Sequence, residues 1–412
     1  MSVPHPAAQR RPQPAEWTDV NLADPSVHAE FDLTEWWRRR RQENPVARHD
    51  HVPGQDGFWV VSRHADVMDA YRRPQDFGSA SGNVMDTLLH GGDSSSGRML
   101  AVSDGEQHRG VRRLVQRGFS PELLDRLGAS TRAATHKLVA RAVERGRCDF
   151  MKDVAAHIPI AAICELLGVA DSDSEYIMKL ANSALGSDVP GQTAREAQLA
   201  QSEILVYFSQ HVRRLRADPG DDLLSMLTTS ELDGSPLRDD VIVFNCYSLV
   251  LGGDETTRLG MVGGLLALME HPEQWARFKS GEISVESLVE EVMRWTTPAI
   301  HVGRTALRDT ELGGQQITKG DVVTLWNTSA NWDERVFTNP ETFDGGRRPN
   351  RHVSFGFGPH FCVGAQLGRI ELSALFEALR ALVAGAELTG PVGRFYSNFL
   401  SGVSSLPVEL RR

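Results

Sequence analysis

Ser354-Phe355-Gly356-Phe357-Gly358-Pro359-His360-Phe361-Cys362-Val363-Gly364-Ala365 is the stretch whose reading decides the fold of this chain. Glycines at 356 and 358 and a proline at 359, set among aromatic residues, suit neither a regular helix nor a regular strand. The stretch predicts a stiff, tight loop. Behind it, Ala365 to Ala384 carries Leu367, Ile370, Leu375, Leu379 and Leu382 near helical spacing. Cys362 therefore lies on a constrained loop that feeds a helix start. Exposed N–H groups and the helix dipole favour a thiolate over a thiol there. His360 and Arg351 add positive or potentially positive charge nearby. A thiolate held this way is a candidate nucleophile or metal ligand, although a lone cysteine is most often a small buried hydrophobe.

The second informative segment is a predicted helix from Asp239 to Glu270, about 48 Å long at 1.5 Å per residue. Its middle reads Leu251-Gly252-Gly253-Asp254-Glu255-Thr256-Thr257-Arg258. Each glycine inside a helix costs about 1 kcal/mol relative to alanine, so something must favour the pair. Either two helices pack closely there, or a flat ligand or small molecule needs the backbone to come near. Thr256 is placed to bond the carbonyl of Gly252, which bends helices. A helix opened in this way, with Glu255 and Thr256 beside it, offers a carboxyl, a hydroxyl and room for water, the parts of a proton-delivery site.

Other segments are less specific alone. In the predicted helix Asp104 to Phe119, His108 and Arg112 are four apart and share a face able to clamp a carboxylate. Arg109, Arg113 and Arg117 point elsewhere and suit an acidic partner protein. Glu291 and Arg294, three apart on a predicted helix Ser287 to Trp295, would ordinarily be a surface pair. Gly78 to Gly97 is an irregular, glycine- and serine-rich stretch with Met85, Leu88 and Leu89 at its centre. Apolar residues in such a loop suggest a lid over an apolar ligand or a packed anchor. Ala170 to Thr193 and Ala194 to Arg216 are two helices with a pliable Gly186–Gly191 joint, the second half of a lid.

The net charge of −10 argues against a general nucleic-acid-binding surface. Cys148, Cys164, Cys246 and Cys362 are scattered, without a CxxC pair, which suits a reducing cytoplasm. No secretory signal is visible, and the apolar run near Val241 to Leu251 falls short of the roughly 18 residues of a membrane span. The proline-bearing residues 1–16 read as a disordered tail, and no linker divides 17–412, so a single domain is expected.

The loop resembles the haem-ligand loop of the cytochrome P450 superfamily, Phe-Gly-x-Gly-x-His-x-Cys-x-Gly, at Phe355, Gly356, Gly358, His360, Cys362 and Gly364. The Gly252–Thr257 run resembles the family's (Ala/Gly)-Gly-x-(Asp/Glu)-Thr-Thr motif. Glu291 and Arg294 match its buried Glu-x-x-Arg pair. Nothing upstream supplies a recognisable base and oxyanion hole for a nucleophilic cysteine. The resemblance implies a mainly α fold with small β-sheets, the cytochrome P450 fold, in which the long helix crosses a haem b held against the cysteine loop. It implies Cys362 as the iron ligand, with its thiolate pushing electron density toward bound dioxygen. His108, Arg112, Arg304 and His360 would hold the haem propionates. Leu100, Gly252, Gly253, Phe355, Gly356, Gly364 and Ala365 would line the macrocycle. Glu255 and Thr256 would relay protons. Met85, Leu88, Leu89, Ala299, Ile300, Val302, Phe399 and Leu400 would shape an apolar substrate pocket, the last two on a hairpin tip near Asn398 to Gly402.

The implied activity is monooxygenation of a small molecule by a bacterial-type enzyme without a membrane anchor. Ferredoxin and ferredoxin reductase would supply electrons, since no flavin or iron–sulfur segment is fused to the chain. The expected task is tailoring of a polyketide or peptide natural product, free or on an acyl or peptidyl carrier protein. Hydroxylation of a steroid or fatty chain is the alternative. A non-catalytic haem sensor or recruitment protein is the alternative of another class, and the presence of both Glu255 and Thr256 argues against it.

Overall fold

The computed structural model describes residues 11–14, 20–50, 56–185 and 194–412. The long helix runs Asp239–Glu270, as its sequence predicts. Asp239 and Asp240 in its first turn complement the helix dipole. It ends at Glu270 because the residue before Pro272 disfavours helical backbone. Most of its length is buried, so apolar residues surround it rather than forming one stripe. The helix Ala365–Leu382 packs beside it and against Pro121–Arg145. Two glycines permit these close approaches. A Cβ on Gly264 would lie 2.6 Å from Phe376 Cζ, and one on Gly128 would lie 3.3 Å from Ile370 Cγ2.

The β structure is small. Five short strands form one mixed sheet in the order Val46–His49, Phe58–Val61, Val322–Leu325, Val302–Ala306, Phe77–Gly78. Val46–His49 is the antiparallel partner of Phe58–Val61. Val322–Leu325 lies parallel to Phe58–Val61 and antiparallel to Val302–Ala306, with Val323 opposite Arg304. This register fixes Arg304 in a paired central strand. The Gly313-Gly314 turn closes the predicted hairpin Thr310–Leu312 with Gln315–Ile317.

The mainly helical architecture with small sheets agrees with the sequence reading. Two local features differ from it. The irregular stretch 78–97 contains a helical turn, Met85–Leu89. The helix expected from Val154 is preceded by a π-helical turn, Met151–Ala155. The helix Asp171–Leu185 ends where description stops, so the expected joint at 186–191 lies outside the described residues. So does most of the expected tail 1–16. Of its described part, Arg11 Nη1 donates to the His28 carbonyl (2.6 Å), and the Pro12 carbonyl accepts from the Asp32 amide (3.0 Å). Among the described residues no helix is long and apolar enough to cross a membrane.

Candidate functional site

The cysteine loop is built by two residues in left-handed backbone, Gly356 (φ +68°) and Gly358 (φ +73°), a conformation that side chains disfavour. A Cβ at Gly358 would also stand 2.7 Å from the Tyr71 carbonyl oxygen. The loop is closed by the Cys362 amide donating to the Phe355 carbonyl (2.8 Å) and the Gly356 amide donating to that of Val353 (2.8 Å). Helix Ala365–Leu382 starts three residues later, as expected. Cys362 is exposed, as are Phe357, Pro359 and Phe361 of the same loop. The expected thiolate bias is only partly met. Burial pushes the Cys362 thiol up, against the Gly364 amide and the guanidiniums of Arg112 and Arg369, which pull it down. A coordinated metal cation deprotonates such a thiol outright.

A buried network holds this loop from below. Glu291 and Arg294 are wholly buried and form a two-pronged pair (2.8 Å each). Glu291 also accepts from Arg347 Nε (3.0 Å), Asn350 Nδ2 (3.0 Å) and the Asp344 amide (3.0 Å). Arg294 reaches the carbonyls of Asn331 and Pro340 (3.0 Å each). Asn331 then donates to Ser354 Oγ (2.8 Å) and accepts from the Val353 amide (2.7 Å) at the loop's entrance. The pair that sequence alone would leave on a surface is the foundation of the cysteine loop.

The two glycines of the long helix divide the two readings between them. A Cβ at Gly253 would strike Ile163 Cδ1 at 2.7 Å, so close packing explains that glycine. Gly252 has nothing within 4 Å of its missing side chain and is exposed, although the helix around it is buried. Thr256 is half-buried, and its hydroxyl donates to the Gly252 carbonyl (3.0 Å), as the spacing predicts. Glu255 is placed differently from the simple acid–alcohol picture. It is fully buried and doubly bonded to Arg258, one contact being Nε to Oε1 at 2.7 Å. Arg258 Nη1 in turn bonds Asn182 Oδ1 (2.7 Å) on helix Asp171–Leu185.

Of the residues read as a carboxylate clamp, His108 lies on the buried side of its helix beside His360. His108 is buried while Arg109, Arg113 and Arg117 are exposed. His108 and His360 stack with ring centroids 4.1 Å apart. Burial, with His360 and Arg112 nearby, lowers His108 to about 4. Burial also lowers His360, although its bond to Asp104 opposes this. Arg304 is buried in its strand with its guanidinium 5.6 Å from the Tyr71 ring centre. Among the described residues neither Arg112 nor Arg304 pairs with a carboxylate, and His108 Nε2 has no hydrogen-bond partner. Buried cations without anions are costly. A group that brings two carboxylates and a metal for the exposed Cys362 satisfies these features together. Haem fits that description.

Three contributors escaped the sequence reading. Asp104 bonds His360 Nε2 (3.2 Å) and accepts the amides of Ser79 and Ala80 (2.7 and 2.8 Å), tying the 78–97 stretch to the cysteine loop. Asn245 on the long helix accepts the Leu100 amide (2.9 Å), fixing Leu100 by its backbone. Arg369, not Arg351, is the nearby cation that bears on Cys362 besides Arg112. Only its place in the first turns of the helix that follows the cysteine hinted at this.

The expected pocket residues meet around one strand end. Ala299 bridges Leu400, the Ile300 amide donates to the Phe399 carbonyl (3.0 Å), and Gly303 lies against Leu88. Leu89, Ala299, Val302 and Phe399 are half-buried. Met85, Leu88, Ile300 and Leu400 are buried, and Met85 and Ile300 pack with Trp36, Trp37 and Trp326. A separate cavity of about 150 Å3, lined by Trp37, Arg41, Trp295 and Trp332, touches Ile300 alone among these residues.

Glu371, on the helix that follows the cysteine, is an unanticipated buried acid. Burial first, and then Asp254, push its carboxyl well above the usual range. Its folded form thus keeps a proton that the unfolded chain releases near pH 4.5, so this group makes stability fall as pH rises above that value. Glu371→Gln is expected to flatten the decline in melting temperature between pH 5 and 8. An unchanged slope would show that another group causes it.

The family model for Cytochrome P450 matches residues 284–379, which span the Glu291–Arg294 pair and the cysteine loop. The chain is 41% identical to Cytochrome P450 NovI of Streptomyces niveus, over 96% of this chain and 98% of that protein. It is 34% identical to a steroid C26-monooxygenase of Rhodococcus jostii (strain RHA1), over 95% and 84%. Among solved structures it resembles P450 OxyD, involved in the biosynthesis of vancomycin-type antibiotics, with a TM-score of 0.87, 33% identity and coverage of 95% and 99%. Relatives this similar along almost the whole length, joined to the glycine-built cysteine loop and the buried Glu291–Arg294 pair behind it, make the chain a member of the cytochrome P450 family, a monooxygenase whose cofactor is haem.

Proposed function

We propose that this enzyme inserts one oxygen atom into a largely apolar peptide or polyketide natural product, by hydroxylation or epoxidation, as a late tailoring step. The observation that carries the reading is the similarity to NovI, supported by the likeness to OxyD. Residues 17–412 act as one catalytic domain in the cytoplasm.

Cys362 holds the iron of haem b. Haem, when bound, supplies one-electron and dioxygen chemistry. Arg112 and Arg304 would neutralise the two propionates, and the uncharged rings of His108 and His360 would orient them by donating N–H hydrogen bonds. Gly252 and the loop residues Phe355, Gly356, Gly364 and Ala365 let the backbone lie along the macrocycle. Thr256 presents its hydroxyl over the open side of Gly252 and holds a proton at Oγ1 for delivery there. Glu255, paired with Arg258, is the acid behind it. Leu89, Ala299, Val302 and Phe399 give the substrate a mostly apolar wall.

Electrons come from a ferredoxin and its reductase. The exposed Arg109, Arg113 and Arg117 support an acidic donor, as does Arg72, whose guanidinium lies 5.2 Å from the ring centre of the exposed Phe357. Steroid side-chain oxidation is the second reading, favoured by the 34% identical steroid monooxygenase. A spin-shift titration against peptidyl and polyketide acids, free and carrier-bound, and against steroids separates the two. The reading expects carrier-bound peptide or polyketide to shift the spectrum at concentrations at least about tenfold lower than steroid, a difference of about 1.4 kcal/mol. Equal turnover of the free acid would remove the carrier protein from the account. A steroid-only response would replace the tailoring role.

A further inference from the structure

We infer that the Glu290–Arg369 ion pair sets the charge felt at the Cys362 sulfur and thereby tunes the reduction potential of the loaded enzyme. This rests on Cys362 being the iron ligand. Arg369 lies about one turn along the helix Ala365–Leu382 that begins behind Cys362. Its guanidinium carbon stands 4.4 Å from the centre of the Phe355 ring. The carbonyl of Phe355 is the acceptor of the Cys362 amide (2.8 Å). The cation is thus stacked on the residue whose backbone is bonded to the cysteine.

Glu290 holds that cation from the other side. Arg369 Nε donates to Glu290 Oε1 (2.6 Å) and Nη2 to Oε2 (3.0 Å). His352 Nε2 bonds the same Oε2 (3.1 Å), and its ring lies 5.8 Å from that of Phe355. Burial pushes the Glu290 carboxyl up, but the bonds from Arg369 and His352 outweigh it and hold it at about 2, so the charge persists at neutral pH. Both side chains are 30% exposed. A half-open pair contributes little to stability, and the adjacent Glu291 already anchors the loop from the core. Glu290 is therefore available for a different task, which is to cancel the positive charge of Arg369 close to the sulfur.

The sign of the effect follows from Coulomb's law in a partly desolvated site. An uncancelled cation near a thiolate favours the state carrying the extra electron. An uncancelled anion opposes it. Glu290 and Arg369 are positioning residues here, since they act through Phe355 and the Cys362 sulfur.

The test is a spectroelectrochemical titration of the loaded parent enzyme and four variants. Glu290→Gln is expected to raise the potential by about tenfold in the one-electron equilibrium constant, or about 59 mV. Arg369→Gln is expected to lower it by a similar factor. The double variant is expected to return to within about threefold of the parent, as coupled neighbours do. Arg369→Lys keeps the charge without the stacked fork and is expected to stay within the same range. Single variants that both move the potential in one direction, or do not move it, overturn the inference. So does an Arg369→Lys shift as large as that of Arg369→Gln, which would assign the effect to packing on Phe355. A carbon-monoxide difference spectrum of the same samples separates the two claims. Thiolate-type spectra with unmoved potentials end this inference alone, whereas a parent lacking that spectrum ends the ligand assignment beneath it.

Discussion

Replacing Arg294 with alanine is expected to lower the free energy of unfolding by about 3–5 kcal/mol, the range for removing one partner of a buried ion pair. The guanidinium is wholly buried and bonds both oxygens of Glu291. Its loss would leave that carboxylate with Arg347, Asn350 and one backbone amide as partners. It would also strip a donor from the carbonyls of Asn331 and Pro340. Asn331 bonds Val353 and Ser354, so the damage passes directly to the cysteine loop. Haem retention is therefore expected to fall with the denaturation midpoint. Arg294→Lys is expected to rescue little, because an ammonium cannot reproduce the planar fork. A measured loss below about 1 kcal/mol, the range of a surface pair, would show that this network does not carry the loop.

Thr256→Ala is expected to leave folding and haem binding intact while product formation falls about 10²-fold, within the usual contribution of a positioned proton donor. Thr256 is half-buried and bonds only a carbonyl within its own helix, so its loss opens no core cavity. Consumption of reductant is expected to continue within about threefold of the parent rate, because this hydroxyl belongs to proton delivery (general acid–base catalysis) and not to electron supply. The diagnostic is therefore the ratio of product formed to reductant oxidised. Thr256→Ser, which keeps the hydroxyl, is expected to recover most of that ratio. If Thr256→Ala keeps the parent's ratio, the hydroxyl is not the proton donor.

The elements that could be read from the chain are those whose cause is local. The cysteine loop follows from glycines that take positive φ. The long helix follows from a proline-free stretch that runs from the acidic first turn at Asp239 and Asp240 to the stop before Pro272. The clamp residues His108 and Arg112 follow from helical spacing. What remained hidden depends on partners far apart in sequence. The burial of Glu291 and Arg294 is decided by residues 331–350, and the role of Asp104 by amides at 79 and 80. The pairing of Glu255 with Arg258 was legible in spacing, since the two are three apart. Its burial, and the tie to Asn182, were not. Periodicity likewise could not tell that Met85 and Ile300 join an aromatic core.

The central claim is that Cys362 presents a thiolate to haem iron. The reduced carbon-monoxide difference spectrum of the purified enzyme tests it most directly. The account predicts a Soret band at the wavelength from which the family takes its name, abolished by Cys362→Ala. A parent enzyme that binds haem and carbon monoxide but lacks that band, or a Cys362→Ala variant that retains it, would contradict the claim.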